Sequence, residues 1–336
     1  MENKLKKLID QSMRILITSH ISPDPDAVAS VLLTGLTLEA NFSDKNVKMA
    51  LEEQPDGLDF LPGYDRLEFG PQSQAINNFK PDLVIMVDVG NVERITRGGA
   101  ENIQSYFVSL GAKLAIIDHH VPDGHDKADL YIGSNEPSAA SEIYNILFNQ
   151  IGLKQPDAAA ELTLTGIYAD TGGFLYIDKT NRDVLKLVDK LIEAGASVEE
   201  TKYKLSRLTQ DQMEVISELA DNVSNTSGYT YSFIGDDFIR GWVNDGKDFG
   251  ALQRANKSFI DNYLRVVDGR LMGFVFYKNP LEADNTYSVS FRSVRYAQDV
   301  EKIAKKLDGG GHKSAAGGKV IANDSLEALE KIKQAL

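Results

Sequence analysis

Three apolar runs in the first part of the chain each end on an ionisable side chain, and this pattern restricts the fold more than any other feature of the sequence. Arg14–Ser19 (RILITS) runs into His20, Asp82–Val87 (DLVIMV) into Asp88, and Lys113–Ile117 (KLAII) into Asp118-His119-His120. Val47–Leu51 (VKMAL) is a fourth, shorter run. A near-continuous apolar segment bounded by polar residues suits a strand buried on both faces. Helical patterns separate the runs, at Ala27–Leu38, Ser138–Gln150 and Ala158–Tyr168. Alternation of this kind predicts an α/β fold with a doubly wound parallel sheet. The ionisable residues would then collect at the strands' C-terminal ends, where open α/β sheets bind ligands.

The pattern changes twice further along. Residues 181–225 carry helically spaced apolar positions, among them Val184, Val188, Leu191, Val198, Leu205, Met213, Ile216 and Leu219, interleaved with charges. They predict helices that link two domains. From Tyr229 onward, Tyr229–Ile234, Leu264–Val267, Met272–Tyr277 and Tyr287–Arg292 read as strands, with Asp299–Leu307 and Leu326–Ala335 as helices. A smaller α+β domain is expected there. The anticipated division is 1–180, a helical linker over 181–225, and 226–336.

Composition narrows the classes of function. A length of 336 residues suits two domains, and 42% hydrophobic with 25% charged residues is enough for two cores. Lys and Arg number 36 against 49 Asp and Glu, a net charge of −13, which tells against a basic coat over long nucleic acid. It leaves open a grip on a few phosphates through metal ions. The absence of Cys excludes disulfide scaffolds, thiolate zinc sites and Cys nucleophiles. No apolar stretch is long enough for a membrane helix, and MENKLKKLIDQSM lacks the features of a signal peptide. A soluble cytoplasmic protein with no membrane partner is expected.

Five histidines, His20, His119, His120, His125 and His312, carry most of the chemical information. His20-Ile-Ser-Pro-Asp24-Pro-Asp26 places an imidazole and two carboxylates in a loop that two prolines stiffen. Crowded carboxylates repel unless a cation compensates them. Taken alone, this is equally an Asp-Pro turn capping the next helix, Asp88 reads as a strand-end cap, and Asp170, before Thr171-Gly172-Gly173, as a helix C-terminal turn. Asp118-His119-His120 is harder to explain structurally, because burying each group would need its own partner. His125, in VPDGHDKAD, reads as a surface histidine, and Ser138 as a helix cap. Jointly, His20, Asp24, Asp26, Asp88, His119 and Asp170 would meet at one sheet edge. Imidazoles and carboxylates without thiolate suit two divalent first-row ions, with Mn2+ expected and Mg2+, Co2+ or Fe2+ the alternatives. Such a pair activates water and stabilises in-line displacement at phosphorus.

Gly309-Gly310-Gly311-His312-Lys313-Ser314 reads as a glycine-rich turn whose backbone N–H groups converge on an anion, against the alternative of a plain surface loop. Arg292, in Ser290-Phe291-Arg292, is the candidate fork for a terminal phosphate, with Ser290 beside it. Arg254 and Lys257 are weaker candidates.

In order, His20-x-x-x-Asp24-x-Asp26, Asp88, Asp118-His119-His120 and Asp170 resemble the four motifs of the DHH phosphoesterase superfamily. Phe291-Arg292-Ser293 and Gly309-Gly310-Gly311-His312 are similar to signatures of the DHH-associated C-terminal domain, so the resemblance spans nearly the whole chain. It is greatest to the stand-alone branch that degrades nanoRNA and dephosphorylates 3′-phosphoadenosine 5′-phosphate (pAp). The resemblance implies that His20, Asp24 and Asp88 hold one ion, and that Asp26, Asp88, His119 and Asp170 hold the other, with Asp88 bridging. It implies that His120 faces the substrate phosphate and that Asp118 orients a ligand histidine through its other ring nitrogen. The expected activity is two-metal hydrolysis of short oligoribonucleotides and pAp by a bridging hydroxide. A phosphodiesterase for cyclic di-AMP or linear pApA is the alternative, and a non-catalytic nucleotide sensor the reading from another class. Oligomeric state stays open, a homodimer included.

Overall fold

The structure is a computed structural model, which describes every residue except 1, 98–106, 108, 121–127, 134–135, 284 and 295–296. It divides into two units, Met1–Arg207 and Leu208–Leu336.

The first unit is built on six parallel strands: β1 (Arg14–Thr18), β2 (Asn46–Leu51), β3 (Leu67–Phe69), β4 (Leu83–Val87), β5 (Lys113–Asp118) and β6 (Leu130–Gly133). Their spatial order is β3-β2-β1-β4-β5-β6. Every neighbouring pair is parallel. Alternate residues of one strand feed opposite cores. Leu83, Ile85 and Val87 of β4 pack with helices Pro25–Asn41 and Ala159–Asp170 on one face, while Val84 and Met86 pack with Ile76 and Phe79 on the other. That two-sided burial explains the unbroken apolar runs. The chain winds outward from β1 through β2 to β3 and then returns to the other side of β1 with β4, so the winding reverses between β1 and β4. A crevice at the strands' C-terminal ends is the usual result. The helix expected over Ser138–Gln150 is α-helical only over Ala139–Tyr144 and continues as a π-helix over Asn145–Gln150.

The second unit carries β7 (Ser224–Asn225), β8 (Tyr229–Ile234), β9 (Met272–Lys278), β10 (Thr286–Ser293), β11 (Gly310–His312) and β12 (Ala315–Ile321). Their order is β11-β12-β10-β9-β8-β7, antiparallel except for the β8–β9 pair. One face buries Phe274, Phe276, Tyr287 and Phe291 against helices Val300–Lys305 and Ser325–Ala335. The other buries Val275 and Tyr277 against helices Gln210–Asp221, Asp236–Asn244 and Phe249–Asn262.

One sequence expectation fails here. Leu264–Val267 is not a strand: Leu264–Val266 forms a 3-10 turn after helix Phe249–Asn262. Three apolar residues and Arg265, between a helix and the Asp268-Gly269 turn, fit either element by pattern. What settles it is Leu264, whose backbone lies so close to Gly273 that a Cβ there would come within 3.0 Å of the Leu264 carbonyl oxygen. The segment covers β9 and does not extend it. The glycine-rich segment forms the β11–β12 hairpin, pairing Gly310 with Gly317 and His312 with Ala315. Gly309 and Gly311 have packing reasons. A Cβ on Gly309 would lie 2.0 Å from the Gly317 carbonyl oxygen, and one on Gly311 2.7 Å from that of Ala315.

Candidate metal centre

Four chain segments reach the reversal point between β1 and β4, and each brings at least one donor. His20 lies just beyond β1. Asp24 caps helix Pro25–Asn41, its Oδ1 accepting from the Ala27 N–H at 3.0 Å. Asp88 follows β4, His119 follows β5, and Asp170 is the last residue of helix Ala159–Asp170. Donor atoms of His20, Asp24 and Asp88 lie within 4.8 Å of one another, as do those of Asp26, His119 and Asp170 and those of Asp88, His119 and His120. Asp88 links the clusters. Its Oδ2 is 3.6 Å from His20 Nε2, and its Oδ1 is 3.3 Å from His119 Nε2. His119 Nε2 is also 3.0 Å from Asp170 Oδ2 and 4.0 Å from Asp26 Oδ2.

Asp88 is 2% exposed and has φ of 54°, a left-handed backbone that is uncommon for a side-chain-bearing residue. Its N–H donates to the Ile117 carbonyl at 2.9 Å, while the Ser19 hydroxyl donates to the Val87 carbonyl at 2.7 Å. The neighbouring strands thus fix the residue on both sides. Strain of this kind is kept where the surroundings over-determine it, often at functional sites.

Asp26 is fully buried. Its Oδ2 accepts from the Ala139 N–H at 2.6 Å and its Oδ1 from the Ala140 N–H at 3.1 Å. A carboxylate is therefore set against the first turn of helix Ala139–Tyr144, where free N–H groups favour negative charge. Ser138 caps the same turn, its Oγ accepting from the Ser141 N–H at 3.1 Å. Gly166 makes room on the other side: a Cβ there would stand 2.2 Å from Asp26 Oδ1 and 2.6 Å from Ala140 Cβ. Sequence reasoning missed Gly166 and the Ala139 and Ala140 amides. The available signal was a glycine inside a strongly apolar helix, which costs about 1 kcal/mol relative to Ala and so needs a packing reason.

The electrostatics are those of crowded, buried carboxylates facing imidazoles. Burial pushes the Asp26 carboxyl well up, and Asp88 and Asp170 push it further. Asp170 is raised by burial as well. Burial would lower the His119 pKa, but Asp170 and Asp88 overcome it and lift the ring to about 11. The same balance, with Asp88 as the partner, raises His20. Among the described residues, Asp88 Oδ1 and His119 Nε2 are buried without a well-formed hydrogen bond. Unsatisfied buried donor atoms, imidazoles and clustered carboxylates fit divalent cations.

His120 stands apart. Its ring is half exposed, and its Nδ1 donates to Asp118 Oδ1 at 2.8 Å. Asp118, fully buried, therefore grips His120 rather than a ligand histidine, and raises its pKa. His125 lies outside the described residues.

In the second unit, the β10 register aligns Ser290 with Gly317 and Arg292 with Ala315, and β11 places Gly310 and His312 on those same β12 partners. Ser290, Arg292, Gly310 and His312 thus share one sheet face. Arg292 is tied down: Nε donates to Asp261 Oδ1 at 2.7 Å and Nη1 to the Phe291 carbonyl at 3.0 Å. His312 and Lys257 are exposed. Arg254 lies 3.5 Å from Asp248.

Residues 14–167 match the DHH family, N-terminal domain, and residues 246–336 match the DHHA1 domain. The chain is similar to the bifunctional oligoribonuclease and PAP phosphatase NrnA of Bacillus subtilis (strain 168), 28% identical over 335 residues that cover 98% of this chain and 96% of that protein. It is 24% identical to the cyclic-di-AMP phosphodiesterase PdeA of Listeria monocytogenes serotype 1/2a (strain 10403S), over 93% of this chain but 45% of PdeA. Its fold is similar to that of an exopolyphosphatase-related protein from Bacteroides fragilis, with a TM-score of 0.82 at 20% identity, covering 99% of this chain and 94% of the other.

Proposed function

Because this chain belongs to the DHH family and carries a DHHA1 domain, we propose that it is a metal-dependent phosphoesterase that hydrolyses short oligoribonucleotides and pAp. The observation that carries the reading is the meeting of His20, Asp24, Asp26, His119 and Asp170 donor atoms around Asp88. Full-length similarity to an oligoribonuclease and PAP phosphatase supports the substrate class.

His20, Asp24 and Asp88 would hold one divalent cation, and Asp26, Asp88, His119 and Asp170 the other, with Mn2+ the expected ion. When bound, such a pair supplies an activated water and neutralises charge on the phosphoryl oxygens. The protein's own groups do the rest. Asp118 holds Nδ1 of His120, so Nε2 points away from that bond toward incoming substrate. Because Asp118 favours the charged ring, His120 can donate to a non-bridging phosphate oxygen and stabilise negative charge as it develops. The amides at Ala139 and Ala140 keep Asp26 in place without drawing on solvent. In the second unit, Ser290, Arg292, Gly309, Gly310, Gly311 and His312 form the proposed nucleotide-binding floor. The acidic surface accords with a substrate of few phosphates.

The test is turnover of a diribonucleotide and of pAp with Mn2+, with pApA, cyclic di-AMP and pyrophosphate run in parallel and a chelator control. Hydrolysis of the first two that chelation abolishes is expected. Preferential hydrolysis of cyclic di-AMP or pApA would move the assignment to the PdeA-like reading. Nucleotide binding without any turnover would replace the enzyme with a sensor.

A further inference from the structure

The loop joining His20 to Asp24 is held from outside the metal centre. Ser22, at its apex, has φ of 52°. For a residue other than glycine this backbone persists only if its surroundings enforce it. Glu53, just past β2, does so: its Oε2 accepts from both the N–H and the hydroxyl of Ser22, each at 3.0 Å. Arg97 closes the arrangement. Its Nε pairs with Glu53 Oε1, and its Nη2 donates to Ser22 Oγ at 3.1 Å. The Arg97 N–H donates to Glu52 Oε1 at 2.7 Å, and the Ile21 N–H to the Arg94 carbonyl at 2.8 Å.

Segments that follow β1, β2 and β4 are thereby laced together beside the crevice. The same turn governs the His20 ring, because His20 Nδ1 donates to the Ile21 carbonyl at 2.8 Å and so leaves Nε2 facing Asp88. Glu53 belongs to none of the donor clusters.

We propose that Glu53 is a positioning residue for the metal centre, fixing the left-handed Ser22 turn so that His20 and Asp24 present their donor atoms together with Asp88. Hydrogen bonding to Arg97 holds the Glu53 carboxyl below its usual range, so it stays ionised wherever the enzyme works. As a solvent-screened ion pair, Glu53–Arg97 adds little to stability. Outer partners of metal ligands, by contrast, commonly change metal affinity by about 10–100-fold. The two roles are therefore separable by measurement.

The inference rests on the metal reading of His20 and Asp24, and the experiment tests the two in turn. Mn2+ alone is titrated calorimetrically into metal-free protein, and the metal-free melting temperature is recorded. If the parent takes up no Mn2+, the metal reading itself fails. Given binding by the parent, Glu53→Ala should weaken Mn2+ binding about tenfold or more while the metal-free melting temperature stays close to the parent's. Glu53→Gln, which keeps an acceptor oxygen for Ser22, should stay within about threefold of the parent. Ser22→Ala, which removes only the hydroxyl donor, should lose affinity in the same direction and less severely, and it decides the matter if Glu53→Ala does not fold. Parent-like Mn2+ affinity in Glu53→Ala, or a Gln variant as weak as the Ala variant, would overturn the proposal.

Discussion

Asp26 and Gly166 fit together across two helices: the carboxylate of one occupies the volume that a side chain on the other would need, with only 2.2 Å between Asp26 Oδ1 and a Cβ built on Gly166. Asp26 cannot retreat easily, since the Ala139 and Ala140 amides hold both of its oxygens.

Gly166→Ala should therefore damage function more than folding. Helix propensity favours alanine by about 1 kcal/mol, while overpacking costs about 1–3 kcal/mol, so the net loss of stability is modest. Displacing Asp26 should lower kcat by at least about tenfold. Thermal melting and steady-state kinetics check this together, and a variant with parental kcat would show that Asp26 tolerates the shift.

Metal binding should release protons. With the His119 pKa near 11 in the metal-free protein, the ring is charged at neutral pH and must lose that proton to bind a cation. Calorimetry in buffers of different ionisation enthalpy should report release of about one proton per His119 site at pH 7. Stability follows with a definite sign. The folded pKa is raised above the unfolded 6.5, so the contribution from His119 is complete below that value and is lost as pH climbs towards 11. The melting temperature of chelated protein should therefore fall across that window, and a rise would contradict the placement of His119 among carboxylates.

Asp118→Asn should leave metal content unchanged and reduce kcat by roughly 10–100-fold, because an amide oxygen still accepts from His120 but no longer favours its charged ring. Metal analysis and a pH–rate profile separate these effects. Loss of metal would indicate that Asp118 supports the ions instead.

Asp261→Ala should raise the apparent Michaelis constant for pAp several-fold with kcat nearly intact. Arg292 would lose the partner that fixes its Nε, though not its charge. Arg292→Ala should be the more severe of the two, and unchanged Michaelis constants for both would remove this sheet face from substrate binding.

The parallel sheet was readable because strands such as Leu83–Val87 are buried on both sides and need no alternation. The motifs at their ends were readable because ionisable side chains have so little structural use there. Local pattern could not show that Leu264–Val266 turns in a 3-10 geometry under β9, or that Gly309 and Gly311 are dictated by carbonyls several residues away. Nor could it show that Arg292 meets Asp261 or that Asp26 meets Gly166. Each of those depends on packing between segments distant in sequence, and a glycine or a charged residue gives no hint of its partner until the fold supplies one.

The left-handed backbone at Asp88 has a consequence for how this centre can change. Replacing that aspartate by glycine would relieve the backbone strain, but it would leave His20 and His119 without the carboxylate they face and remove the residue common to two of the three donor clusters. An unstrained backbone and the chemistry of the centre therefore pull in opposite directions at this one position, and the paired histidines weigh on the side of keeping the aspartate.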